Sequence, residues 1–181
     1  TTWNERARTR EPGKMSPRMA WRAITSVLPK DAIISSDIGN NCAIGNAYPT
    51  FEEGRKYLAP GLFGPCGYGF PAICGAKIAQ PDVPVVGFAG DGAFGISMNE
   101  MVSVGRDEWP PITMIIFRNY QWGAEKRNTT LWFDDNFVGT ELDTDVTYAG
   151  IAQQCGVKGV QVDGMDALSD ALDKAIEAQM K

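Results

Sequence analysis

The sequence predicts an α/β fold, a three-layer sandwich in which a mostly parallel sheet is covered by helices on both faces. Two observations predict it. Segments with helical spacing alternate with short apolar segments along most of the chain, as in repeated strand–helix–strand units. The apolar segments, such as 83–89 and 112–118, are continuous rather than alternating, which is typical of parallel strands buried on both faces.

The order of these segments gives the predicted elements. Ser16 and Pro17 are typical of a helix start, apolar residues at helical spacing continue to Val27, and Pro29 ends the helix. Residues 54–71 are dense in glycine and aromatic residues, and a polar loop begins at Asn119. The further predicted elements are a strand at 32–36, a helix at 71–79, a strand at 83–89, a helix at 96–106, a strand at 112–118, a helix at 146–155, a strand at 159–162 and a helix at 167–180.

The composition excludes several functional classes. The chain has 181 residues, which predicts one domain with a small extension. Hydrophobic residues at 44% and charged residues at 22% are typical of a globular protein rather than a disordered one. The formal charge of −5 argues against a nucleic-acid partner, because nucleic-acid-binding modules usually carry a basic surface.

Histidine is absent, which excludes Ser-His-Asp triads, Cys-His pairs and zinc sites that use imidazole. The four cysteines form no CxxC pair, so we expect reduced thiols rather than a zinc ribbon or a redox dithiol. The longest apolar runs are far shorter than the ~20 residues that a membrane span needs. The sequence also lacks an apolar signal core at its start, so we expect a cytoplasmic protein with no membrane partner.

The chain divides into two unequal parts. Residues 1–14 are polar and basic and show no periodicity, which predicts an arm or linker. Residues 15–181 form the predicted domain. Its last helix is followed by no returning strand, and the chain does not start with Met, so we expect a piece of a longer protein.

In an open α/β sheet, ligands bind beyond the carboxyl ends of the strands. Three loops with suitable chemistry follow strand ends here, at 37–41, 90–94 and 119–122. In the second loop, Gly90 and Gly92 permit a tight turn and bring the N–H groups of Gly92 and Ala93 close to a ligand. Asp91 would repel a bare phosphate, but Mg²⁺ commonly bridges a carboxylate to a diphosphate.

The third loop supplies further oxygen ligands. Asn119 offers a side-chain carbonyl at the end of the next strand, and the backbone carbonyl of Gln121 lies two residues on. The 26 residues between Gly92 and Asn119 suffice for one helix and one returning strand, which places both loops at the same edge. The sequence therefore predicts an Mg²⁺–diphosphate site at this edge.

Gly90-Asp91-Gly92, followed after 26 residues by Asn119, resembles the cofactor motif of the thiamine diphosphate-dependent enzymes. The resemblance covers nearly the whole chain from about residue 16 and implies the fold of their C-terminal diphosphate-binding domain. The segments 36–40, 66–68 and 119–128 are similar, more narrowly, to the sulfoacetaldehyde acetyltransferases, a branch related to acetolactate synthase and pyruvate oxidase.

The resemblance implies two cofactors, thiamine diphosphate and Mg²⁺, with the metal held by Asp91, Asn119 and the carbonyl of Gln121. The loop at 37–41 would cover the other side of the diphosphate, or it would only cap a helix. The segment 64–67 would support the aminopyrimidine, with Cys66 equally well explained as a small packing residue. The candidate cofactor-binding residues are Asp37, Ile38, Gly39, Asn40, Gly64, Cys66, Gly90, Asp91, Gly92, Ala93, Asn119, Gln121 and Trp122, the last of which is also explained as part of the core.

The resemblance also implies the reaction, which converts sulfoacetaldehyde and phosphate to acetyl phosphate and sulfite. Both substrates are anions, so Arg118, Lys126 and Arg127 are candidates for binding them, and a solvated basic loop is the alternative. The glutamate that activates the cofactor would come from the N-terminal pyrimidine-binding domain of a partner subunit in a homodimer or homotetramer. No catalytic residue is assigned in this chain, and we expect the isolated chain to be inactive.

Two alternatives stay open. An acetolactate synthase-like or oxidase-like enzyme, acting on a 2-oxo acid, would have the same cofactor domain. A non-catalytic domain that binds a nucleotide or mediates assembly would not bind thiamine diphosphate, so the cofactor would leave its tryptophan fluorescence unchanged in the presence of Mg²⁺.

Overall fold

The computed structural model describes residues 15–50 and 56–181. The predicted arm at 1–14 lies outside the described residues. Four strands form one sheet in the order β2-β1-β3-β4, and every neighbouring pair is parallel. The strands are β1 (Ile33–Ser36), β2 (Lys56–Leu58), β3 (Val85–Gly90) and β4 (Thr113–Phe117).

Helices cover both faces of this sheet, which confirms the predicted α/β sandwich. They begin and end where glycine, proline and polar residues interrupt the apolar pattern. In the described part of the chain the helices are α1 (Pro17–Val27), α2 (Asn40–Gly45), α3 (Gly69–Ala79), α4 (Asp91–Ser97), α5 (Met101–Val104), α6 (Gly123–Trp132), α7 (Tyr148–Gln154) and α8 (Met165–Gln179), and a 3₁₀ turn at Met98–Glu100 joins α4 to α5.

The core lies in two layers, one on each face of the sheet. Alternate strand residues point to opposite faces, so Val86 and Phe88 join the first layer while Val85 and Ala89 join the second. Helices α1 and α8 pack on the first face, and α3, α4, α5 and α7 contribute buried residues to the second. The ring of Trp21, 1% exposed, stacks on Phe117 with ring centroids 5.3 Å apart. Because the strands are parallel, their carboxyl ends lie at one edge of the sheet, between the two hydrophobic layers.

Several elements differ from the sequence prediction, among them the short helix α2, which begins at Asn40 within the predicted loop at 37–41. The helix after β3 begins at Asp91 rather than at residue 96, because the extended Gly90 caps it directly. The region after Asn119 contains helix α6, which has no buried residue and therefore carries no apolar pattern. Residues 159–162 form no strand, and Val160 there is 61% exposed. Strand β2 was missed, since a three-residue edge strand leaves too short a pattern.

Within the described residues, no helix has both the length and the apolar character that crossing a bilayer requires.

The buried side chain of Gln179 joins α8 to the sheet. Its Oε1 accepts a hydrogen bond from the Val85 N–H at 2.8 Å, and its Nε2 donates to Thr113 Oγ1 at 2.6 Å. Both partners lie at the starts of strands, so this one amide satisfies groups that the sheet leaves open at its amino-terminal edge.

Gln179→Leu should lower the free energy of unfolding by about 1–3 kcal/mol, because it leaves the buried Val85 N–H without an acceptor. The midpoint of urea unfolding measures this change. Glu177→Leu, at an exposed position on the same helix, serves as the control and should leave the midpoint unchanged. Equal midpoints for the two variants would contradict the role of Gln179.

Candidate functional site

Three loops meet beyond the carboxyl ends of β1, β3 and β4. Gly123 shows how closely they approach: a Cβ there would lie 2.8 Å from Asn119 Nδ2 and 3.0 Å from Asn40 Nδ2. A Cβ on Gly92 would lie 2.9 Å from the Trp122 indole, so that ring lies against the start of α4. The structure therefore brings the loop after β1 and the start of α4 against the loop after β4.

Asp91, a residue that is only 2% exposed, joins two of these loops through its carboxylate. Oδ2 accepts hydrogen bonds from the backbone N–H groups of Tyr120 at 2.7 Å and Asn119 at 3.2 Å. Oδ1 accepts from the N–H of Gly92 at 3.1 Å. A buried carboxylate is costly unless such donors surround it, so the loop after β4 must lie close to the start of α4.

Three groups converge at this point: the Asp91 carboxylate, the Asn119 side-chain amide and the Gln121 carbonyl. The side-chain oxygen of Asn119 faces Asp91 Oδ1 at 3.1 Å and the carbonyl oxygen of Gln121 at 2.9 Å. If the amide is turned by half a rotation, Nδ2 donates to both of these oxygens instead. Neighbouring ligands of an octahedral Mg²⁺ are about 3 Å apart, since Mg²⁺–oxygen distances are about 2.0–2.1 Å. The donor set therefore fits a hard divalent cation when the amide oxygen faces inward.

The carbonyl of Gln121 is held by a short antiparallel pairing that sequence reasoning missed. Gln121 bridges Glu141, the Trp122 N–H donates to the Thr140 carbonyl at 2.8 Å, and the Leu142 N–H donates to the Tyr120 carbonyl at 2.9 Å. Tyr120 itself has a φ of +60°, a left-handed conformation that is costly for tyrosine. No local pattern in the sequence indicates a pairing between segments 20 residues apart.

Carboxylates alone do not form a metal site in the described residues. Within 15–50 and 56–181, no three Cys, Asp or Glu side chains lie close enough to hold an ion. The candidate site instead combines one carboxylate, one amide and one backbone carbonyl. Oxygen ligands of this mixed kind are typical of Mg²⁺ and Ca²⁺ rather than of zinc.

The carboxylate of Asp37, a residue predicted to bind the cofactor, accepts hydrogen bonds from the protein backbone. Its buried carboxylate accepts hydrogen bonds from Ile38 N at 2.8 Å and Gly67 N at 3.0 Å through Oδ1, and from Gly69 N at 2.7 Å through Oδ2. A Cβ on Gly69 would lie 3.1 Å from Asp37, so the close approach needs glycine. Asp37 thus fixes the segment 67–69 at the start of α3, where the helix dipole favours a negative charge.

The other predicted residues near β1 form one wall of the site. Gly39 has a φ of +116°, which favours glycine, and it caps α2. Ile38 contacts Gly64, since a Cβ on Gly64 would lie 3.3 Å from Ile38 Cγ1. Burial raises the pKa of the Cys66 thiol, and the carboxylates of Asp37 and Glu125 raise it further. The thiol therefore stays protonated at neutral pH and does not serve as a thiolate nucleophile.

Asn41 was predicted within the loop at 37–41 but was not singled out as a candidate. It is 7% exposed, and neither Nδ2 nor Oδ1 of its amide has a hydrogen-bond partner. It lies in the first turn of α2, which packs against β1 and β3. A buried amide without partners costs about 1–3 kcal/mol, so Asn41 is a further candidate for contact with a polar ligand.

The three predicted anion-binding residues differ in their surroundings. Arg118 donates to the Thr144 carbonyl at 3.1 Å and to the Asp143 carbonyl at 3.4 Å. Lys126 forms an ion pair with Glu141, and its hydrogen bond lowers the pKa of that carboxyl. Arg127 is exposed. Arg118 and Lys126 thus hold the segment at 141–144.

Comparisons with known proteins agree with this geometry. Residues 37–180 match the family model "Thiamine pyrophosphate enzyme, C-terminal TPP binding domain". The chain is 75% identical over 179 residues to the sulfoacetaldehyde acetyltransferase of Roseovarius nubinhibens, covering 99% of this chain and 30% of that protein. The sulfoacetaldehyde acetyltransferase of Castellaniella defragrans is 43% identical over 166 residues, 92% of this chain and 27% of that protein.

More distant relatives are similar over the same region. The acetolactate synthase large subunit of Haemophilus influenzae is 26% identical over 95% of this chain and 30% of that protein. The fold matches a solved structure, the thiamine diphosphate-dependent 4-hydroxybenzoylformate decarboxylase of Rhodococcus jostii RHA1, with a TM-score of 0.85 and 22% identity. The match covers 94% of this chain and 32% of that one. The chain spans about 30% of the length of the curated relatives it matches.

Asp37→Asn should lower the free energy of unfolding by about 3 kcal/mol, because the variant places an amide NH₂ group where three N–H donors converge. Chemical unfolding without cofactor measures this effect. Asp173→Asn, at an exposed position on α8, is the control and should behave like the wild type. If Asp37→Asn unfolds like the wild type and loses only cofactor affinity, Asp37 serves the cofactor rather than the fold.

Proposed function

Since the chain belongs to the family of thiamine pyrophosphate enzymes, as their C-terminal TPP-binding domain, we propose that it forms the diphosphate- and metal-binding part of a sulfoacetaldehyde acetyltransferase. The observation that carries this proposal is the identity of 73–75% to three relatives of that name over nearly the whole chain. The proposed reaction converts sulfoacetaldehyde and phosphate to acetyl phosphate and sulfite. Identity of 26% to an acetolactate synthase makes a 2-oxo acid substrate the weaker candidate.

Asp91, Asn119 and the carbonyl of Gln121 would hold Mg²⁺. Their closeness supports this assignment, because with the Asn119 amide oxygen turned inward the three oxygens face one another and a cation would offset their repulsion. The carboxylate supplies the negative charge, and the amide and carbonyl supply neutral oxygens. The fixed pairing of 120–122 with 140–142 would keep the Gln121 carbonyl in position before the metal arrives.

Polar groups from two loops would bind the diphosphate. The N–H groups of Gly92 and Ala93 lie in the first turn of α4, directly after Gly90, and the Asn40 amide approaches from the loop after β1. The Gly92 N–H donates to Asp91 Oδ1 in this structure and would be shared with the diphosphate. The Asn41 amide, buried and without partners, is a further candidate. Gly39 would let the backbone pass close to the ligand, because its conformation excludes most side chains.

Small, apolar and aromatic residues would support the part of the cofactor beyond its diphosphate. Gly64 and Ile38 lie on one side, together with Cys66, whose pKa burial and the nearby Asp37 carboxylate raise, and the Trp122 indole packs on Gly92 on the other. When bound, thiamine diphosphate supplies the nucleophilic carbon and the electron sink for the reaction. The residues of this chain would bind, orient and shield it, and the protonated Cys66 thiol would contribute packing rather than charge.

The activating glutamate is proposed to lie outside this chain, on the N-terminal pyrimidine-binding domain of a partner subunit. The chain spans about 30% of its relatives, which leaves room for such a domain in the full protein. A homodimer or homotetramer would follow if the site forms where two subunits meet. The cytoplasmic location stays a prediction from the sequence.

The full-length protein, supplied with Mg²⁺ and thiamine diphosphate, should release sulfite from sulfoacetaldehyde only when phosphate is present. Acetyl phosphate should form in equal amount. Reactions without phosphate and with Asp91→Asn are the controls, and both should release little sulfite, because the variant loses the one charged metal ligand. If the protein released carbon dioxide from pyruvate but no sulfite from sulfoacetaldehyde, an acetolactate synthase-like activity would replace the proposed one.

Asn41→Leu should change stability and cofactor affinity in opposite directions. The unliganded protein should become more stable by about 1 kcal/mol or more, because an apolar group replaces an amide without partners. The affinity for thiamine diphosphate should fall, because a diphosphate contact is lost. Thermal unfolding without ligand and cofactor titration by tryptophan fluorescence measure the two quantities.

The control for this prediction is Asn136→Leu, at an exposed position, which should change neither quantity. A variant at Asn41 that loses stability and keeps its cofactor affinity would remove Asn41 from the proposed site.

A further inference from the structure

Arg118 occupies the last position before Asn119, directly after β4, and its guanidinium group contacts several residues around it. The guanidinium carbon lies 4.3 Å from the centroid of the Tyr120 ring and 5.8 Å from that of Tyr148, within the range of cation–π contacts. Its NH2 group donates to the carbonyls of Asp143 and Thr144. One side chain thus contacts three separate segments of the chain.

Each of these segments carries or supports a group of the candidate metal site. Tyr120 has a left-handed φ of +60° and donates its N–H to Asp91. It also directly precedes Gln121, whose carbonyl belongs to the candidate site. The segment 143–144 continues directly from 140–142, which pairs with 120–122. Tyr148 donates from its hydroxyl to the backbone carbonyl of Asp91 at 2.9 Å.

The contacts of Arg118 also offset a local cost. A left-handed conformation is unfavourable for tyrosine, so Tyr120 needs contacts that hold it there. The guanidinium packed on the Tyr120 ring supplies one such contact, and the two carbonyl bonds hold the neighbouring segment against it. An arginine suits this task because its planar group stacks and donates at the same time.

We propose that Arg118 is a positioning residue for the metal site, and that it acts by holding Tyr120 and the segment 140–144 so that the Gln121 carbonyl faces Asp91 and Asn119. It is not a ligand of the sulfonate or phosphate substrate, the role that the sequence predicted. This inference rests on the proposed function, since it concerns the cation that Asp91, Asn119 and Gln121 would hold.

The test uses the full-length protein with Arg118→Met and Arg118→Lys. The first readout is the Mg²⁺ concentration that gives half-maximal thiamine diphosphate binding, followed by tryptophan fluorescence without substrate. The second is the KM for phosphate and for sulfoacetaldehyde at saturating Mg²⁺. Arg106→Met, an exposed arginine whose ion-pair partner is Glu108, is the matched control.

Arg118→Met should raise the half-saturating Mg²⁺ concentration about tenfold, as loss of an outer-shell partner does at other metal sites, while both KM values at saturating Mg²⁺ stay within about twofold. Arg118→Lys should restore part of the loss, because it keeps the cation over the rings. Arg118→Lys should still raise the half-saturating Mg²⁺ concentration, because lysine cannot stack on the ring and donate to both carbonyls as arginine does. It keeps the test available if Arg118→Met does not fold.

A tenfold rise in either KM with unchanged Mg²⁺ dependence would overturn the inference and make Arg118 a substrate ligand. Unchanged Mg²⁺ dependence in Arg118→Met and in Arg118→Lys would overturn it as well. These results concern Arg118 alone as long as the wild type binds thiamine diphosphate with Mg²⁺. A wild type that does not bind the cofactor would overturn the proposed function, and this inference with it.

Discussion

The arrangement of this site depends on one buried carboxylate, that of Asp91. A carboxylate removed from water must be surrounded by donors or cations, and here three backbone N–H groups from two loops point at it. These bonds hold the loop after β4 against the start of α4, where Tyr120 has a left-handed conformation. The same geometry places the Gln121 carbonyl and the Asn119 side chain beside Asp91, where the proposed cation would bind.

Two aspartates at neighbouring strand ends differ in what surrounds their carboxylates. Asp37 and Asp91 are both buried and both follow a strand of the parallel sheet. Asp37 receives three backbone N–H donors, and its charge holds the turn at 67–69. Asp91 also receives three backbone N–H donors, and the side-chain amide of Asn119 lies against it and against the Gln121 carbonyl. This neighbouring amide and carbonyl, rather than burial or residue type, make Asp91 the candidate metal ligand.

The sequence predicted the strands with continuous apolar runs and the helices with an apolar face, because those patterns reflect burial in a two-sided core. It missed α6, whose residues are not buried, and β2, which is too short to show a pattern. The motif around Asp91 and Asn119 was visible because it lies at strand ends with a helical crossover between them. The roles of Asn41 and Arg118 were not, because they depend on contacts with segments distant in sequence, such as 143–144.

The central claim is that Asp91, Asn119 and Gln121 bind one divalent cation together with the cofactor diphosphate. Anomalous diffraction from crystals of the full-length protein, grown with Mn²⁺ and thiamine diphosphate, tests it most directly. The account predicts one strong peak in contact with Asp91 Oδ1, the Asn119 side-chain oxygen and the Gln121 carbonyl, and also with diphosphate oxygens. A bound cofactor with no peak between these three residues, or with the ion on other ligands, would contradict it.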